Sequence, residues 1–275
     1  VQRPVARPNS LIFTLYGDLV HRTDKAEERD GSLWIGTLIA LMGTLGVSAA
    51  AVRQAVSRLS RQGWLSARRV GNRAYYSVTE RGQQRIEDLS PRIYGPVIEW
   101  DGRWRVLHFA GGEPGRQPRD RLRKELRVLG WAPLTAATWI SPVDALEPAR
   151  KASGACGVED DVHFFEGRYC GPLTDRQLVE RCWDLQAIAG AYNAFIARYR
   201  VRLAEERKHG RLHNDQAFAD RLWLVHDYRK FAYLDPGLPS ELVPAHWPGT
   251  VAAALFREYY AALEHKSQRY FQQQR

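Results

Sequence analysis

The sequence predicts an α+β protein in three parts: an N-terminal winged helix-turn-helix over 1–95, a ferredoxin-like middle domain over 96–171 and a mostly helical C-terminal domain over 172–275. Three observations lead there. The first is an apolar helix, a glycine-bearing turn and an amphipathic helix, followed by two alternating strands around Gly71-Asn72. The second is a strand and helix alternation between Trp104 and Tyr169, and the third is sustained helical periodicity from Leu173 onwards.

In the first part, Leu11, Leu15 and Leu19 repeat at helical spacing within Ser10 to Val20, with Asn9 or Ser10 as the expected cap. A charged loop over Thr23 to Asp30 precedes an apolar helix expected from Leu33 to Leu41. The turn Thr44-Leu45-Gly46-Val47 leads into Ser48, a good N-cap for the helix Ala49 to Gln62. There Val52, Ala55, Val56 and Leu59 form an apolar stripe, and Arg53, Gln54, Ser57, Arg58 and Arg61 fall opposite. Trp64 to Val70 and Arg73 to Val78 read as a hairpin, and Thr79-Glu80-Arg81-Gly82 opens a helix towards Tyr94.

Charge assigns this part a partner. The net charge of +9 permits a polyanion, and its placement is more specific. Between Asp30 and Glu80 there is no acidic residue, while Arg53, Arg58, Arg61, Arg68, Arg69 and Arg73 all lie there. Unopposed positive charge on a second helix and a hairpin tip suits double-stranded DNA. Arg53, Gln54, Ser57 and Arg58 are the expected base-edge contacts. Arg61, Arg68, Arg69 and Arg73 are the expected phosphate contacts, and Ser48 sits at the helix entry.

The middle part reads as strand Trp104 to Ala110, loop Gly111 to Pro118, helix Arg119 to Leu129, strand Thr135 to Ile140, helix Val143 to Ala152 and strand Val162 to Tyr169. Further on, Leu178, Cys182 and Leu185 share a helical face that Ile188, Tyr192, Phe195 and Tyr199 continue. Phe218, Leu222, Val225 and Arg229 mark another helix, and Val251 to Leu263 a third. Pro236, Pro239, Pro244 and Pro248 exclude a regular helix from Leu234 to Gly249 and favour a rigid loop. Cys156, Cys170 and Cys182 are too few and too irregular for a disulfide framework or a zinc site, and read as small buried residues. No apolar run approaches bilayer length and Val1 to Pro8 lacks a signal-peptide core, so a cytoplasmic location is expected, with no membrane partner.

Several strings together resemble the PaaX family. They are Arg7-Pro8-Asn9-Ser10-Leu11-Ile12-Phe13-Thr14 with Gly17-Asp18, Val52-Arg53-Gln54-Ala55-Val56-Ser57-Arg58-Leu59, Gly63-Trp64-Leu65 and Asp101-Gly102-Arg103-Trp104. Downstream come His226-Asp227-Tyr228-Arg229, Asp235-Pro236-Gly237-Leu238-Pro239 and His246-Trp247-Pro248-Gly249. The resemblance implies a homodimeric repressor of aromatic (phenylacetate-type) catabolic genes, released from its operator by an aromatic acyl-CoA such as phenylacetyl-CoA, with no cofactor. It also implies a middle domain similar to the Cas2 ribonucleases. Those enzymes hold a metal on an Asp at the end of the first strand, where this chain has His108-Phe109-Ala110-Gly111, which argues against a nuclease. No G-x-S-x-G nucleophile motif accompanies the His226-Asp227 pair, so an enzyme of the thioesterase type is not expected either. An effector-independent DNA-binding protein remains as an alternative.

For the effector, Trp223, Tyr228 and Trp247, with Phe231 and Tyr233 nearby, offer aromatic faces, and Arg229 and Lys230 offer cations for coenzyme A phosphates. Aromatics at helical spacing more often form core, and His226 with its neighbours reads equally as a buried hydrogen-bond network. Both readings stay open on the residues alone.

Overall fold

Pro8 opens helix α1 (Pro8–Leu15), its fixed φ suiting the first helical position. The expected cap on Asn9 or Ser10 is therefore displaced: Arg7 is the N-cap, without a side-chain bond, and the Ser10 hydroxyl is used elsewhere. The helix widens into a π-helical turn, Tyr16–Val20, which carries the buried Asp18. The computed structural model describes residues 7–22, 30–95, 99–111, 116–210 and 212–275, so the charged loop 23–29 and the loop core 112–115 lie outside the described residues.

Two compact units result. The first joins residues 1–94 to 197–229 and 254–275, and the second joins 95–196 to 230–253.

In the first unit a short strand β1 (Leu33–Trp34) precedes α2 (Ile35–Gly43). Sequence periodicity placed a helix from Leu33. Its first two residues instead pair antiparallel with Tyr76 and Tyr75, a non-local ladder that local patterning cannot register. A turn closed by Val47 N to Met42 O (3.1 Å) and Gly46 N to Gly43 O (2.9 Å) leads to α3 (Ala49–Arg61). The strands β2 (Leu65–Val70) and β3 (Arg73–Val78) pair in full register around Gly71-Asn72, and α4 (Glu80–Tyr94) follows.

Hydrophobic burial organises these elements into one core. Leu11, Leu15, Leu38, Leu41, Val52, Val56, Leu59 and Leu65 are buried together with Phe218, Leu222, Trp223 and Phe271. The last four come from α9 (Asn214–Tyr228) and the end of α11 (Pro248–Gln274), so helices from the far end of the chain complete the N-terminal core. Each fully buried Leu, Val or Phe contributes about 1.5–3 kcal/mol.

The second unit holds a sheet ordered β5-β6-β4-β7, in which β4 (Trp104–Phe109) lies between β6 (Thr138–Ser141) and β7 (Val162–Gly167), and β5 (Ala132–Pro133) pairs β6. With α5 (Arg116–Val128) and α6 (Leu146–Cys156) as the crossovers, this is the ferredoxin-like arrangement. The strand expected from Thr135 starts at Thr138, because the Thr135 hydroxyl accepts from the amides of Ala137 (3.3 Å) and Thr138 (3.0 Å) and bends the chain. Leu107, Leu122, Leu126, Trp131, Trp139 and Ala149 form its core.

Helices α7 (Asp175–Cys182) and α8 (Leu185–His209) follow, and α10 (Phe231–Leu234) leads into the proline loop. That loop is fixed within the unit. The Asp235 carboxylate accepts from Gly237 N (2.8 Å), Leu238 N (3.1 Å) and the Tyr192 hydroxyl (2.7 Å). The cysteines depart from expectation: Cys170 is exposed, and Cys156 and Cys182 are half-buried, because each sits near a helix end or on a loop. Among the described residues no helix is long and apolar enough to cross a membrane.

Candidate nucleic-acid interface

Helix α3 shows a sharp division of its faces. On α3, Val52, Ala55, Val56 and Leu59 are buried, whereas Arg53, Gln54, Ser57, Arg58 and Arg61 are exposed. Ser48 caps it, its hydroxyl accepting from Ala51 N at 3.3 Å. That bond satisfies one of the orphan amides and leaves the positive end of the helix dipole at the surface. Among the described residues no carboxylate pairs with Arg53, Arg58, Arg61 or Arg69. Their charge is therefore available to an incoming anion.

The hairpin places its basic residues at the free end. Arg68 and Arg69 on β2 and Arg73 on β3 flank the turn and are exposed. The base of the hairpin is anchored: the Tyr16 hydroxyl donates to Tyr76 O at 2.7 Å, and the Thr79 hydroxyl to Gly63 O at 2.7 Å. All nine sequence-predicted residues, Ser48, Arg53, Gln54, Ser57, Arg58, Arg61, Arg68, Arg69 and Arg73, thus lie on exposed positions of one helix and one hairpin within the first unit.

Three contributors to this surface escaped the sequence reading. Arg81, at the start of α4, lies over the Trp64 ring at 4.3 Å and donates to Gln62 O, just past the end of α3. Trp34 lies under Arg73 at 4.9 Å, and Asp30 pairs with Arg68 at 3.2 Å. Hydrogen bonds from the Ser32 backbone and hydroxyl, assisted by Arg68, hold the Asp30 carboxyl below the ordinary carboxylate range. The only sequence signal for these contacts was the acid-free stretch bounded by Asp30 and Glu80.

The effector candidates fall in both units. Trp223, His226, Tyr228 and Arg229 belong to the first, and Lys230 and Trp247 to the second. Trp223 is part of the first unit's core. His226 is buried, with Nδ1 at 3.3 Å from the Thr14 hydroxyl. The Tyr228 ring stacks on Phe256 at 4.0 Å, and Arg229 donates to the Ser10 hydroxyl and to Ser10 O (3.2 Å). Asp227 accepts from Tyr199 (2.9 Å) and Arg198 (2.7 Å).

The string His226-Asp227-Tyr228-Arg229 is therefore a set of internal contacts, two of which reach the stripe Ser10-Thr14 on α1. In the second unit Lys230 is exposed, and Trp247 is buried with its ring edge-on to Tyr192 at 6.2 Å. Tyr192 also stacks on Phe231 at 4.0 Å.

Comparison with known proteins finds matches over most of the chain. Residues 7–82 match the family model described as PaaX-like protein, residues 98–179 the PaaX protein central Cas2-like domain, and residues 183–273 the PaaX-like protein C-terminal domain. The transcriptional repressor PaaX of Escherichia coli (strain K12) is 34% identical over 257 residues, covering 91% of this chain and 78% of that protein. Among solved structures, the uncharacterized protein Rv0674 from Mycobacterium tuberculosis shares the fold, with a TM-score of 0.53 at 21% identity over 86% of this chain and 90% of that one. From the first helix to the last, this chain belongs to the PaaX family.

Proposed function

We propose that the chain is a DNA-binding transcriptional repressor in which residues 1–95 act as a winged helix-turn-helix. Helix α3 enters the major groove, and the β2–β3 hairpin lies along the phosphates as the wing. The observation that carries this is the α3 surface: an exposed, acid-free row of Arg53, Gln54, Ser57, Arg58 and Arg61 over a fully buried apolar stripe. Arginine and glutamine are the side chains that pair bidentately with guanine and adenine edges. The likeness to a curated repressor supports the same reading.

Residues 96–171 serve as a ferredoxin-like spacer and dimerisation domain, and residues 172–275 receive the effector. A homodimer presents two copies of α3 to successive major grooves of a pseudo-palindromic operator. The regulated genes are those of aromatic, phenylacetate-type catabolism, and the effector is an aromatic acyl-CoA such as phenylacetyl-CoA. Lys230, an exposed cation, is offered to its phosphates. The thioester releases the operator only to the extent that it binds the released state more tightly. No catalytic step is assigned to the chain.

The test is binding of the purified protein to the DNA upstream of its own gene at fixed salt, with and without phenylacetyl-CoA, using free phenylacetate and free coenzyme A as controls. Release by the thioester alone is expected. Binding that no thioester alters would leave a DNA-binding protein without this effector, and turnover of the thioester would replace the repressor reading by an enzymatic one.

A further inference from the structure

The small sheet of the first unit has one face on the core and the other in solvent. Directly opposed residues share a face, and successive residues alternate. The registers Trp34↔Tyr75, Arg68↔Tyr75 and Val70↔Arg73 therefore gather Trp34, Arg68, Arg73 and Tyr75 on the solvent face. Tyr76 and Val78, on the other face, pack against the core. Two residues that precede α2, and belong to neither α3 nor the hairpin, meet the hairpin's arginines here.

Trp34 is the first. The residue is 37% exposed, unusual for one with so large an apolar ring, and the Arg73 guanidinium lies 4.9 Å from the ring centroid. The ring lies close against Gly36, where a Cβ would fall 2.3 Å from the indole. A flat ring beside it limits the rotamers open to Arg73, so less freedom is lost when the guanidinium meets an anion.

Asp30 is the second. Its carboxylate lies 3.2 Å from Arg68, and is itself fixed by the Ser32 amide (3.0 Å) and hydroxyl (2.8 Å). A phosphate can use Arg68 only by displacing that carboxylate. The displacement is favourable where the duplex seats closely and unfavourable in a loose, non-specific encounter.

We infer that Trp34 and Asp30 are positioning residues for DNA binding: Trp34 holds Arg73 ready for a backbone phosphate, and Asp30 withholds Arg68 from phosphates that are not closely seated. The inference rests on the DNA-binding reading above.

Anisotropy titrations of a random-sequence DNA duplex over a salt series test it, using the full chain, its Trp34→Leu, Asp30→Asn and Arg73→Ala variants and the Trp34→Leu/Arg73→Ala double variant. Circular dichroism monitors the fold. Arg73→Ala is expected to weaken binding and flatten the salt dependence by about one phosphate. Trp34→Leu is expected to weaken binding about two- to fivefold with the salt slope kept, since the charge remains. In the Arg73→Ala background it should have no further effect, which a general loosening of the hairpin would not reproduce.

Asp30→Asn, at an exposed position, is expected to tighten random-duplex binding and steepen the slope by about one. Wild-type binding by both Trp34→Leu and Asp30→Asn, alongside a weakened Arg73→Ala, would overturn the inference and leave the DNA reading intact. Absence of salt-dependent binding by the unmodified chain would remove both.

Discussion

Arg221 donates through Nε to Asp18 Oδ2 at 2.7 Å across 203 residues of chain, and the two side chains are 1% and 0% exposed. Around this pair, Tyr94 and Tyr260 donate to Asp18 Oδ1 at 2.9 and 2.7 Å, and the Ser267 hydroxyl accepts from Arg221 at 3.1 Å. Burial raises both phenols well above their ordinary range, and Asp18 pushes in the same direction, so they remain hydroxyl donors. Four segments of the first unit thus meet on one carboxylate. A charge there is tolerable only because every polar atom around it has a partner.

Removing one member should therefore cost more than removing both. Asp18→Asn leaves a buried guanidinium without its counter-charge and is expected to lower stability by about 3–5 kcal/mol, whereas an apolar pair such as Asp18→Leu with Arg221→Met recovers most of the loss. Urea midpoints of these two variants and the wild type check this. An Asp18→Asn variant within about 1 kcal/mol of the wild type would show that the pair is not the keystone of this core.

On α3, Arg53→Ala is expected to cost about 1–3 kcal/mol on the operator and much less on random DNA, because a base-edge contact is lost. Arg61→Ala should weaken both alike and reduce the salt slope by about one. Competition titrations separate the two patterns. Equal losses from Arg53→Ala on both DNAs would move that residue to the phosphates.

Ser48 offers a test in which stability and binding diverge. Ser48→Ala should lower stability by about 1 kcal/mol through loss of the cap bond. Ser48→Asp should keep the cap and stability but weaken DNA binding, since a carboxylate then faces the phosphates at the helix entry. Thermal unfolding beside anisotropy titration reads both effects.

A pH effect is expected in the second unit. Arg105, buried on β4, donates to both oxygens of Asp101 at 2.9 and 2.6 Å, and these bonds hold the Asp101 carboxyl below its ordinary range. A depressed carboxylate stabilises the fold above its unfolded pKa of about 4, and that contribution is lost as pH falls through the folded value. Asp101→Asn should thus be less stable than wild type at pH 7, and the gap should narrow below about pH 4. Denaturant midpoints across that range decide it, and a constant gap would assign the effect to packing.

Gly130 caps α5 at φ +89°, and a Cβ there would stand 2.9 Å from Pro236 Cβ and 3.1 Å from Pro236 O. Gly130→Ala combines left-handed backbone strain with a clash against a proline loop. It is expected to cost about 1–3 kcal/mol, read as a lower melting temperature.

Much of this protein is written locally. The apolar stripe of α3, its serine cap and the Gly71-Asn72 hairpin follow from spacing within a few residues, and the structure keeps them nearly to the residue. The strand and helix alternation of the middle domain is kept in order, with its boundaries shifted by a few residues and the short strand β5 added. The acid-free stretch between Asp30 and Glu80 is equally local, since charge is read directly from the residues.

Partners distant in sequence were not legible. Trp34 looked like the start of a helix because its strand partner Tyr75 lies on a later hairpin. Ser10 looked like a cap, and Arg229 like a phosphate ligand, although the tertiary structure pairs them with each other. Likewise Asp18 and Arg221 carry no signal of their pairing. Periodicity tells which face of an element is buried, because burial is a property of that element alone. What covers the face, and which buried charge meets which, is settled only when desolvation forces each polar group to find a partner in the assembled core.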